Sequence, residues 1–169
     1  MASYPQKVDG TSQTWQSSGG TNVITCTSLA AGSGQQGAKS GTFNDATLGN
    51  PIEYRIKLLM QFTSAPTDGK EVEVWIGQSS SATAGTDNPG GLTGSDGSYT
   101  VSRRFQLDFP GSLIASNSIG TGVQQQSELI LPRKGLYLIP MIFNNADVAF
   151  DGTALHTVLT ITPVFWKIP

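Results

Sequence analysis

Apolar and polar residues alternate from residue 52 to residue 62, broken only by Leu59 on the polar face. Ile52, Tyr54, Ile56, Leu58, Met60 and Phe62 share one face, while Glu53, Arg55, Lys57 and Gln61 share the other. A repeat of two residues is what a β-strand with one buried and one wetted face requires, because successive side chains point to opposite sides. The alternation resumes in Glu71-Val72-Glu73-Val74-Trp75-Ile76, with Val72, Val74 and Ile76 expected inward and Glu71, Glu73 and Trp75 outward. Between the two runs, Pro66 and Asp68-Gly69 supply turn dihedrals, so the pair is expected to form a hairpin.

Further strands are expected at 23–29, 99–107, 122–131, 135–143 and 156–166, with turns at 108–111, 132–135 and 144–145. Pro140 and Pro163 lie inside two of these runs and cannot donate ladder hydrogen bonds, which predicts sheet edges or bulges at both. No stretch carries a helical period. About eight strands separated by turn signals, without helical crossovers, define an all-β chain folded as an antiparallel β-sandwich or barrel. A jelly roll is the expected topology, and another Greek-key sandwich remains open.

Two segments stand outside the alternation. Residues 1–22 are rich in Ser, Gly, Thr and Gln and are expected to form an extended N-terminal arm ahead of a β-sandwich domain at 23–169. Such a segment buries too little apolar surface of its own to offset the conformational entropy of ordering it, so contacts with another subunit are expected to hold it. Tyr4 and Trp15 are its expected anchors. The second is a Gly/Ser/Thr/Asp excursion at 77–98, a length that in a compact domain marks a functional or disordered loop.

Composition narrows the chemistry. The chain has 169 residues, one histidine, one cysteine, a formal net charge of -2 and 13% charged residues, against roughly 25% in ordinary globular domains. So few charges imply a neutral polar surface or one covered by neighbours. The ten basic residues are scattered, which argues against direct nucleic-acid binding. Lone Cys26 forms no disulfide framework within one chain and is expected to be a small apolar filler. No segment approaches the length of a membrane span and the first residues lack the apolar core of a secretory signal, so folding in a cytoplasm is expected.

The candidate catalytic and ligand motifs are weak. Gly32-Ser33-Gly34-Gln35-Gln36-Gly37 matches a dinucleotide fingerprint by letter, but no helix follows to offer its N-terminal amides to pyrophosphate, and a flexible loop is expected. His156 has no Gly-x-Ser-x-Gly elbow to serve, and a lone histidine is too few for the usual zinc sites. Glu71 and Glu73 mimic a glycosidase pair only in sequence; two glutamates on the solvent face of one strand keep an edge soluble. Asp87, Asp96, Asp147 and Asp151 sit in loops without a calcium-loop spacing. No catalytic residue, cofactor or metal is expected. Outward Trp75, and Phe165 and Trp166 near the C-terminus, suit interface burial.

The order of a polar arm, a long strand, Glu71-Val72-Glu73-Val74-Trp75-Ile76-Gly77, a Gly/Ser/Asp loop, Leu131-Pro132-Arg133-Lys134-Gly135-Leu136-Tyr137, Asn144-Asn145 and Thr160-Ile161-Thr162-Pro163-Val164-Phe165 resembles small β-sandwich virion structural proteins of tailed bacteriophages. The resemblance implies a non-enzymatic capsid decoration or cement protein that is made in the host cytoplasm and sits on the capsid surface. Its implied partners are the major capsid protein and further copies of itself, as a homotrimer. Tyr4, Trp15, Trp75, Phe165 and Trp166 are the expected contact residues. A tail, baseplate or fibre component is the nearest alternative. A carbohydrate-binding jelly-roll module, with glycan at Trp75 and the 77–98 loop, is the alternative of a different class.

Overall fold

The computed structural model describes residues 4–167, so residues 1–3 of the expected arm, and residues 168–169, lie outside the described residues. Eleven strands are formed among the described residues: β1 (Gln6–Asp9), β2 (Gln13–Gln16), β3 (Asn22–Val23), β4 (Gly34–Gln36), β5 (Glu53–Met60), β6 (Glu71–Ser79), β7 (Gly97–Tyr99), β8 (Asp108–Ile114), β9 (Gln124–Pro132), β10 (Tyr137–Asn145) and β11 (Val158–Lys167). One sheet has the order β3-β2-β11-β5-β9, with β1 also paired to β11; the other has the order β7-β4-β10-β6-β8. Every pairing is antiparallel except the short β2–β3 contact. The molecule is a β-sandwich. The chain crosses from one sheet to the other between β3 and β4, β4 and β5, β5 and β6, β8 and β9, β9 and β10, and β10 and β11.

The inward faces follow the alternation. Tyr54, Ile56, Leu58 and Met60 of β5 meet Val72, Val74 and Ile76 of β6 across a core that also holds Trp15, Phe62, Leu138, Ile142, Phe150, Leu159 and Ile161. Each fully buried side chain of this size contributes about 1.5–3 kcal/mol relative to exposure. β5 and β6 face each other from different sheets, however, and are not a hairpin. The connection at 61–70 is a corner of the sandwich, and β6 pairs instead with β10 and β8.

The largest departure concerns the expected arm. β1 and β2 both hydrogen-bond to β11, in registers that run from Gln6 opposite Lys167 and from Trp15 opposite Leu159. Trp15 is fully buried, and its indole N–H donates to the Ala38 carbonyl at 2.7 Å. A polar segment orders here because its backbone completes a sheet whose core face needs only one large side chain, Trp15, from it.

The two prolines also have a physical explanation that differs from the expected edges. Pro163 pairs with Tyr54 on one side; on the other, its carbonyl accepts from Gly10 N at 2.8 Å, in the gap between β1 and β2. Pro140 pairs with Ile76, and its carbonyl accepts from Gly37 N at 2.8 Å, one residue past the last β4 pair. Both strands are interior, and each missing N–H falls where the neighbouring strand stops.

Candidate interaction surface

The outer face of the second sheet carries its own small core. Trp75, Ile139, Met141 and Phe143 project outward from β6 and β10 and are covered by Leu92, Tyr99 and Leu107 from the 80–107 excursion. β6 is therefore buried on both faces, and Trp75 is only 8% exposed. The stretch expected as a strand at 99–107 is mostly a 3-10 turn (Val101–Gln106), and the turn expected at 108–111 lies within β8.

A β-bulge explains the local geometry. Between β6 and β8 the register passes from Val74 opposite Gly111 to Ile76 opposite Asp108, so Phe109 and Pro110 together face Trp75. An extra residue in an edge strand bends it and re-aims its side chains. Here it lays the Phe109 ring over the indole at 4.5 Å and 34°. Gly111 has φ 148°, and a Cβ there would lie 2.7 Å from Leu129 Cδ2, so the bulge needs glycine. The 3-10 turn brings Phe105 edge-on to the same indole, with centroids 5.7 Å apart.

Charge fixes the floor of this surface. Glu73 accepts from the Trp75 indole N–H at 2.7 Å and from Arg104 Nε at 2.9 Å. The Arg104 guanidinium lies 4.4 Å from the Phe105 ring centroid and 4.7 Å from that of Phe143. Glu73, expected on a wetted face, is thus a buried ion-pair partner, held because Arg104 and the indole together satisfy it. What reaches solvent is aromatic: Phe105 is 70% and Phe109 48% exposed. Ile114 on β8 and Ile130 on β9, the neighbouring edge strands, are exposed as well.

The five expected contact residues separate into two groups. Trp15 and Phe165 are buried within the chain, and Trp75 is covered by its own Phe105 and Phe109. Tyr4 and Trp166 are exposed near one end of the β1–β11 ladder, where Lys7 Nζ stands 5.8 Å from the Trp166 ring. Phe105, Phe109 and Arg104 were missed because 99–107 reads as a strand and 108–111 as a turn. The available signal was Phe105, Leu107 and Phe109 at a spacing of two, running through the Asp-Phe-Pro-Gly turn.

The loop expected at 77–98 starts within β6, which runs to Ser79, and ends within β7, which begins at Gly97, and the part between them is ordered by tethers. The Lys39 ammonium, buried in the domain, donates to Ser79 Oγ at 3.1 Å and to the carbonyls of Ser81, Thr83 and Thr86 at 3.0, 2.8 and 2.9 Å. Burial lowers its pKa, opposed by the charge of Asp87. Asp96 accepts from Thr25 N, Thr25 Oγ1 and Gln35 Nε2. The glycine fingerprint at 32–37 contains β4 rather than a flexible loop, and no helix follows it.

His156 Nδ1 lies 2.7 Å from Asp151 Oδ1, with no serine hydroxyl hydrogen-bonded to the imidazole among the described residues. Asp87 and Asp147 have carboxyls held below the ordinary range chiefly by hydrogen bonds from Ser80 and Thr67. Among the described residues no three or more His, Cys, Asp and Glu side chains gather as a metal site, and no helix is long and apolar enough to cross a membrane. Comparison with protein-family models and with curated proteins finds no match to this chain.

Proposed function

We propose that this chain is a non-enzymatic virion structural protein, a capsid decoration or cement protein, that docks on the outer shell through the surface formed by Phe105 and Phe109. The observation that carries the reading is this exposed aromatic pair, mounted on a rigid floor of Trp75, Arg104 and Glu73. Exposed aromatics on an ordered base lose little rotamer entropy on docking and suit the buried centre of an interface. The sheet orders β2-β11-β5-β9 and β4-β10-β6-β8, with the chain switching sheets at nearly every step, support a jelly-roll reading of the sandwich.

With β1 and β2 committed to the sheet, bridging between capsomers falls to the aromatic surface and to self-association as a homotrimer, not to a wrapping arm. Anything bound only to the intact shell stabilises it by mass action. Particles depleted of the protein should lose heat resistance, and adding it back should restore that resistance. Phe105→Ser with Phe109→Ser should abolish the rescue while leaving the circular dichroism of the free protein unchanged. Finding the protein on isolated tails but not on purified heads would reject the decoration reading in favour of a tail or fibre component.

A further inference from the structure

We propose that a cleft beside Pro163, at the opposite edge of the sandwich from Phe105 and Phe109, is a binding site for a neutral saccharide. The cleft has a volume of about 510 Å³, within the roughly 300–1,000 Å³ of small-ligand sites. Its origin is the gap between β1 and β2 along one side of β11: β1 leaves β11 after Asp9 and β2 rejoins it at Gln13, so the chain bows out through Thr11 and Ser12. Facing that bow are Thr21 and Asn22 at β3 and the segment from Gly41 to Asp45.

The walls are fixed by one buried carboxamide. Gln13 Nε2 donates to the Thr42 carbonyl at 3.3 Å, and Gln13 Oε1 accepts from Asn22 Nδ2 at 3.0 Å and from Gly41 N at 3.1 Å. That arrangement joins all three wall segments before any ligand arrives, which limits the ordering cost of binding. It also leaves the groups that face the cleft unspent. Asn22 has committed one of its two side-chain N–H groups and keeps Oδ1 as an acceptor. Asp45 Oδ1 receives Thr47 N and Leu48 N, both at 2.8 Å, and keeps Oδ2. The Thr11 and Thr21 hydroxyls and the Asn44 carboxamide make no side-chain hydrogen bond among the described residues.

The lining chooses the ligand class. No Lys or Arg lines the cleft and one carboxylate does, which disfavours phosphate, sulfate and acidic sugars. A single carboxylate is too little for a metal ion. Unspent hydroxyls, amides and one carboxylate oxygen, mixing donors and acceptors, match the vicinal hydroxyls of a neutral sugar. The lining groups are wet in the free protein, so each hydrogen bond to sugar replaces one to water and a single site binds weakly. Several copies on one particle would bind by avidity. The site does not depend on the docking surface and would remain open with that surface covered.

The test is a titration of the isotopically labelled protein, followed by amide chemical shifts, with maltose, cellobiose, lactose and N,N′-diacetylchitobiose at up to tens of millimolar. Sialyllactose and glycerol serve as the anionic and generic polyol probes. Saturable shifts at Thr11, Ser12, Asn22 and residues 41–45 with at least one neutral disaccharide are expected. The double variant Thr11→Val with Asn44→Ala changes two exposed groups that bear no structural hydrogen bond through their side chains. It should keep its fold and bind at least about tenfold more weakly. No saturable shift with any of the four disaccharides, equal response to glycerol, tighter binding of sialyllactose, or undiminished binding by the folded double variant would each overturn the assignment.

Discussion

Replacing Trp15 with alanine tests whether the N-terminal segment is part of the domain. Its side chain has no exposed surface, packs in the core between the sheets and donates its indole N–H to Ala38 O at 2.7 Å. Truncating a buried tryptophan to alanine costs about 3–5 kcal/mol from lost transfer energy and the residual cavity. That is a large share of the roughly 5–15 kcal/mol that holds an average domain folded. At about 2–4 °C per kcal/mol for a chain of this size, the thermal midpoint should fall by about 6–20 °C. Trp15→Phe keeps most of the packing but leaves the Ala38 carbonyl without its donor, a loss of about 1–3 kcal/mol. Circular dichroism melts and urea titrations of the wild type and both variants measure the differences. A Trp15→Ala midpoint within a degree or two of wild type would refute the placement of β2 in the sheet and return residues 1–22 to the role of a detachable arm.

Two further outcomes follow from named groups. Hydrogen bonds from Ser80, Thr67 and Thr153 hold the carboxyls of Asp87, Asp147 and Asp151 below their ordinary value of 3.8. The folded state therefore binds fewer protons than the unfolded state below that value, so this contribution is complete above it and is lost as pH falls through the folded values. The thermal midpoint should be flatter above pH 5 than below pH 4, and Thr67→Val should reduce the acid-side slope; equal slopes for the two proteins would count against the Thr67–Asp147 contact. Cys26 is buried, and burial, reinforced by the charge of Asp96, pushes its thiol pKa up, so a thiol reagent at pH 8 should label it only after denaturant is added; stoichiometric labelling of the native protein would contradict that burial.

Much of the sandwich was legible because period-two alternation reports directly on burial. Ile56, Leu58 and Met60 of β5, and Val72, Val74 and Ile76 of β6, are all fully buried where the pattern placed them. Alternation does not report which strands pair, so a turn signal at 64–69 suggested a hairpin where the chain changes sheets. It also fails where both faces are covered: on β6, outward Glu73 and Trp75 are buried by residues about thirty positions downstream, a contact without a local signature. β2 was hidden for a different reason. Among Thr, Ser and Gln residues its single large apolar side chain, Trp15, is too sparse to show a period, and its order comes from backbone bonds to β11 at the far end of the chain. The aromatic surface depends on a register shift between β6 and β8, a property of pairing that composition does not encode.

The central proposal is that Phe105 and Phe109 seat this domain on the outer shell of a virus particle. A density map of the assembled particle at side-chain detail tests it most directly. The account predicts the sandwich on the outer face of the head, with both phenylalanine rings buried against the major capsid protein and the Pro163 cleft open to solvent. Density for this chain only on the tail, or on the head with Phe105 and Phe109 facing bulk solvent, would contradict it.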